Sequence, residues 1–152
     1  MASGCTSTTN TKHFDNNMIS FEYPADMTAQ QNPENQGPIS IINNNYEGAS
    51  IQTLSLDGNE TFESFLNTRK ETWIHDNSPD TYTQSEKFLI QGKSAYNVTT
   101  TNQDGSQGIS TYIDMNNQVL QIQPNIASGE KDQKTTVNYK VYEMILNTLK
   151  FK

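Results

Sequence analysis

The 152-residue chain is 32% hydrophobic and 18% charged, so uncharged polar residues, above all Asn, Thr, Gln and Ser, fill the balance. That length supports one domain around one core, and no stretch has the length and apolarity of a membrane helix. A net charge of −7 is the wrong sign for a phosphate backbone, which is bound by clustered Lys and Arg, so no nucleic-acid partner is expected.

At the amino terminus, Ala2-Ser3-Gly4-Cys5 places small residues before the one cysteine, and the polar run Thr6 to Thr11 follows. This pattern resembles a lipobox, in which a leader is cut before a cysteine that then carries lipid. No basic n-region or apolar stretch of about 7–15 residues precedes Cys5, so the leader is expected to be missing from the chain as given. The plainer alternative is an ordinary surface thiol after a cloning remnant or a cytosolic start. One cysteine excludes an internal disulfide, and His13 and His75 stand too far apart to suggest structural zinc. Residues 1–12 contain no large apolar side chain apart from Met1 and are expected to be a disordered tether, with the folded domain over 13–152.

Ile19, Phe21 and Tyr23 share one face of a first strand that Pro24 ends. Residues 25–37 carry turn formers without periodicity and are expected to be a loop. Ile39–Ile42 and Ser50–Leu56, joined by the Asn-rich turn Asn43 to Gly48, read as a hairpin. After Asp57-Gly58 the period changes from two to 3.6. Asn59 is the expected N-cap of a helix over about 60–75, Glu60 and Glu63 suit its positive end, and Phe62, Phe65, Leu66 and Trp73 form its stripe.

Four strand-like runs follow: Tyr82–Ile90, Ser94–Thr101, Gly108–Met115 and Val119–Gln123. Turn-forming residues at 91–93, 102–105 and 116–117 connect them, which predicts an antiparallel meander. Gln121 and Gln123 alternate with Leu120 and Ile122, as in a sheet with one face against a helix and the other in water. A last helix is expected over about 133–149, with Val137, Val141, Met144 and Ile145 buried and Tyr142 and Leu149 widening the stripe. The chain is therefore α+β: about six or seven antiparallel strands, one helix after the third strand and one at the C terminus.

Three segments, Phe21-Glu22-Tyr23-Pro24, Leu89 to Val98 and Tyr142 to Phe151, in this order and spacing, resemble the PsbP-like family. The resemblance covers about 14–152 and implies an α-β-α sandwich around an antiparallel sheet, a fold that includes an extrinsic photosystem II subunit and a Ran-binding import factor. Where members often carry Trp after the first-strand proline, this chain has Ala25-Asp26-Met27, so it looks more like a prokaryotic lipoprotein member than a photosynthetic one. The implied role is accessory rather than catalytic, with an unidentified protein partner, a membrane complex among the candidates, no cofactor, and a monomeric state.

Arg69 falls within the first helix's apolar stripe. Either its stem lies on the sheet while the guanidinium snorkels to water or a carboxylate, or it anchors an acidic partner. His75, Asp76 and Asp80 share one loop and have the ligand types of a weak divalent-metal site, as the resemblance also implies, although the spacing is not that of an EF-hand. The plainer reading is a solvated loop. No nucleophile elbow or phosphate-cradling Gly-rich loop occurs, so an enzyme is not expected. Asn59 and Asn97 begin N-glycosylation triplets of the kind a polar chain generates by chance.

Overall fold

A computed structural model describes residues 10–31, 37–126 and 132–152. Cys5, most of the expected tether and the tip of the 25–37 loop lie outside the described residues.

The chain runs β1 (Thr11–Asp15), β2 (Ile19–Pro24), β3 (Thr28–Gln31), β4 (Ile39–Ile42), β5 (Gly48–Ser55), α1 (Phe62–Asp76), β6 (Tyr82–Gln84), β7 (Phe88–Ile90), β8 (Lys93–Thr101), β9 (Gln107–Asp114), β10 (Gln118–Pro124), α2 (Val137–Thr148) and β11 (Lys150–Phe151). The main antiparallel sheet has eight strands in the order β3-β4-β5-β10-β9-β8-β6, with β7 also on β8, and a smaller sheet has the order β1-β2-β11. Adjacent residues of one strand point to opposite faces, which separates two cores. Ile51, Ala95, Ile113, Leu120 and Ile122 pack with Val141, Tyr142 and Ile145 of α2 and with Ile19 and Phe21 of the small sheet. On the other face Tyr96, Val98, Tyr112 and Val119 pack with Phe62, Phe65 and Leu66 of α1. The result is the expected α-β-α sandwich.

Several local expectations are revised. Thr11 and Lys12 belong to β1, paired with Pro24 and Tyr23, so ordered chain begins before Phe14. β1, β2 and β11 form their own sheet rather than an edge of the central one. Within the expected 25–37 loop, Thr28–Gln31 forms edge strand β3 on β4; its sequence Thr-Ala-Gln-Gln has almost no apolar alternation to reveal it. With β1 and β3 added, α1 follows the fifth strand rather than the third.

The expected strand Tyr82–Ile90 divides into β6 and β7 on the same edge of β8. Gln84 pairs with Val98 and Phe88 with Ala95, so three residues, 85–87, oppose two, 96–97, and the extra residue makes a bulge. Ser85 stitches it: its N–H donates to the Asn97 carbonyl at 2.8 Å, and its Oγ accepts from the Asn97 N–H at 2.9 Å.

Both helices start at threonine caps. Thr61 Oγ1 accepts from the Ser64 N–H while Ser64 Oγ accepts from the Thr61 N–H, so the α1 cap lies at Thr61, two residues beyond Asn59. α2 starts at Val137, capped by Thr136, with only a single 3-10 turn at 133–135 before it. Val137 is 42% exposed and its neighbour Asn138 is buried instead.

Candidate functional site: a groove beside α1

Along α1, Arg69 lies one turn past Phe65 and Leu66 on the same stripe, which turns its stem toward the sheet. Its guanidinium carbon sits 5.4 Å from the centre of the Phe65 ring and 5.5 Å from that of Tyr112, close enough for cation–π attraction. Its Nε donates to the Tyr112 hydroxyl at 3.2 Å. No ion pair among the described residues includes Arg69. The side chain does lean on the sheet, but aromatic faces and a phenol receive the guanidinium where a carboxylate was one alternative.

Beneath Arg69 the sheet is polar. Tyr112 on β9 pairs in register with Gln121 on β10, and Gln121 with Gln52 on β5. Gln121 Oε1 accepts from Gln52 at 3.0 Å, and its Nε2 lies 3.1 Å from the Tyr112 hydroxyl, 3.2 Å from Ser110 Oγ and 3.2 Å from Gln123 Oε1. At 4% exposure Gln121 is buried, which corrects the expectation that this row faces water. A phenol has two lone pairs and one proton. Tyr112 therefore accepts from Arg69 and Gln121 and keeps its O–H as a donor.

A groove of about 920 Å³, partly open to solvent, lies between α1 and this floor. Arg69, Thr72 and Trp73 form the helical wall, Ser110, Tyr112 and Gln123 the floor, and half-buried Tyr82 and exposed Ile126 stand on the lining. Trp73 is held in place by donation from Nε1 to Thr81 Oγ1 at 2.9 Å. Burial, reinforced by the nearby Tyr112 phenol and opposed by the Arg69 charge, pushes the Tyr82 hydroxyl up to about 12. It is thus a protonated donor at neutral pH. Carboxylates stand at the ends, Asp57 and Glu60 before α1 and Asp76 at its last residue.

His75 and Asp76 are the last two residues of α1 and Asp80 lies in a 3-10 turn at 79–81, so the three do not share one loop as expected. His75 Nδ1 lies 2.9 Å from Asp76 Oδ1, and both side chains are more than four-fifths exposed, at 84% and 82%. The Asp80 carboxylate instead accepts from the Ser78 hydroxyl. Among the described residues no three His, Cys, Asp or Glu side chains gather to hold a metal. Asn97 Oδ1 accepts from Thr111 Oγ1 at 2.7 Å, and Asn59 is exposed before the cap.

Neither Tyr82 nor Tyr112 is marked as a site residue by the sequence, and Gln121 is expected there only as part of a water-facing row. The available signal was alternation: Ser110 and Tyr112, like Gln121 and Gln123, are spaced for the face opposite Thr111 and Ile122. That this face carries α1, and Arg69 over it, depends on long-range packing.

Two helices on opposite faces of one antiparallel sheet define an α-β-α sandwich. No protein-family model and no curated protein matches the chain. Among solved structures it is similar to the solution structure of cyanobacterial PsbP (CyanoP) from Synechocystis, with a TM-score of 0.60 and 10% identity, covering 100% of this chain and 98% of that one. At that identity the likeness is one of fold.

Proposed function

We propose that this protein is a non-catalytic, extracytoplasmic accessory domain that binds another protein through the α1 groove and is held at a membrane by lipid on Cys5. The observation that carries the binding role is Arg69, a cation seated on aromatic rings in an open groove with no carboxylate partner among the described residues. The lipobox-like Ala2 to Cys5 and the likeness to a PsbP fold support the location. One lipid chain gives only reversible attachment, and an acidic domain gains no help from anionic headgroups, so stable anchoring would need a second chain or another membrane contact.

Two measurements test this reading. Intact-mass analysis of the protein from its native membrane should find a lipid adduct on Cys5; a free thiol in the soluble fraction would remove the anchor. A photo-crosslinking residue at Thr72, on the groove wall, should capture a defined protein that one at Glu143, on the exposed side of α2, does not. Equal capture from both positions would overturn the groove as the binding surface.

A second reading, weak divalent-metal binding, is favoured only by the 2.9 Å His75–Asp76 contact. It requires amide shifts of residues 74–82 to move with millimolar calcium, zinc or manganese, and unmoved shifts would dismiss it.

A further inference from the structure

We infer that the occupant of the groove is an extended segment of a partner protein carrying one carboxylate for Arg69, an apolar side chain for Trp73 and a basic residue about three positions away for Asp76. This rests on the protein-binding reading above and specifies its chemistry.

The anion follows from the donors. Arg69 uses Nε on Tyr112, and a guanidinium has further N–H groups in a fixed fork suited to a carboxylate. The Tyr112 O–H adds a donor beside it, because both of its lone pairs are engaged by Arg69 and Gln121. Tyr82 stands on the same lining. The centre of the groove thus concentrates donors around one positive charge.

The charge of the occupant is limited to one. Asp57, Glu60 and Asp76 line the same groove in a chain of net charge −7, so a doubly charged phosphate or a run of acids meets more repulsion than a single carboxylate does. Asp76 also sets a spacing. It is seven residues beyond Arg69 in α1, about 10 Å along the axis and only about 20° around it, which an extended peptide covers in about three residues. A lysine or arginine there meets a carboxylate rather than an empty rim.

The groove's openness favours a chain over a small molecule. Sites for small ligands enclose most of the ligand surface, whereas Arg69, Thr72, Asp76 and Ile126 of this lining are exposed. A peptide gains contact from successive residues, against Trp73 and Tyr82 and over the polar floor of Ser110 and Gln123.

The test uses the full chain, isotope-labelled for amide spectra, and blocked hexapeptides with glutamate, an adjacent leucine and a lysine three positions from the glutamate. This peptide should shift amides of residues 69–76 and 108–112 and bind at least tenfold more tightly than its glutamine counterpart. Arg69→Gln should erase that preference in a chain that keeps its native amide dispersion, and Arg69→Lys should restore part of it. The inference falls if the glutamine peptide binds equally, if a triple-glutamate peptide or free phenylacetate binds more tightly, or if millimolar peptide leaves these amides unmoved. Groove crosslinks without peptide discrimination would retain the protein-binding reading and remove only this chemistry. Peptide discrimination with a partner crosslinked elsewhere would remove the groove as that partner's binding surface instead.

Discussion

The buried carboxamide of Asn138, at the start of α2, accepts from the Gly48 N–H at 2.6 Å and donates to the Asn125 carbonyl at 2.9 Å. One side chain thereby joins α2 to the beginning of β5 and the end of β10. Asn138→Ala leaves the Gly48 N–H and the Asn125 carbonyl without that partner, a cost of about 1–3 kcal/mol. The thermal midpoint should fall by about 2–4 °C for each kcal/mol in a domain of this size, and calorimetry measures it. An unchanged midpoint would show that this tie contributes nothing net.

Gly48 itself cannot be replaced. Its φ is +151°, and a Cβ there would stand 1.8 Å from the Ile41 carbonyl oxygen, a backbone atom in the paired strand. Gly48→Ala should break the β4–β5 pairing and prevent native folding, as read by circular dichroism and amide dispersion. Gly92, at φ +81° in the β7–β8 turn, has open space where a Cβ would go, so Gly92→Ala should cost only the conformational strain of about 1–2 kcal/mol. Equal outcomes for the two would contradict the close approach at Ile41.

The cap of α1 separates two adjacent candidates. Thr61→Ala removes the hydroxyl that accepts from the Ser64 N–H and leaves only the backbone N–H to Ser64 Oγ half of the box, so it should destabilise by about 1 kcal/mol. Asn59→Ala lies before the cap and should stay within about 0.5 kcal/mol of the parent. Urea midpoints of the two variants decide the matter, and the reverse order would restore Asn59 as the cap.

Alkaline pH probes the α2 face. Tyr142 is buried beside Thr111, and burial pushes its hydroxyl up to about 12 against an ordinary value of 10.0. The folded state therefore keeps a proton that the unfolded chain releases, so stability is intact below pH 10 and declines from about pH 10 toward 12, with a limiting slope of about 1.4 kcal/mol per pH unit for one such group. Tyr82, also raised to about 12 but half-exposed, adds a smaller, solvent-screened share. Urea unfolding from pH 9 to 12 should show this decline, reduced in Tyr142→Phe. An identical slope in that variant would assign the alkaline loss to other groups.

Much of the fold was legible because its signals are local. The runs that became β8, β9 and β10 alternate with period two and are separated by turn residues: Gln91-Gly92, both at positive φ, gave away the β7–β8 turn directly. The stripe Phe62, Phe65, Leu66 and the later Val141, Tyr142, Ile145 marked two helices before any packing was known. Where β1 and β3 were missed, the strands are short and polar, and only their pairing with β2 and β4 makes them strands. Val137 and Asn138 exchanged their expected places because a helix periodicity read from hydrophobicity assigns the valine inward, whereas the Gly48 N–H requires the asparagine.

By itself, then, the sequence determined an acidic α+β domain with two amphipathic helices, an antiparallel meander and a charge inside the first helix's stripe, all properties set by neighbours within a few residues. Tertiary structure decided what that charge meets. Arg69 and Tyr112 are separated by 43 positions, and Gln52 and Gln121 by 69. No local period links such residues; strand register and the seating of α1 on one face of the sheet bring them together, because pairing between distant strands, not spacing along one, decides which side chains are neighbours.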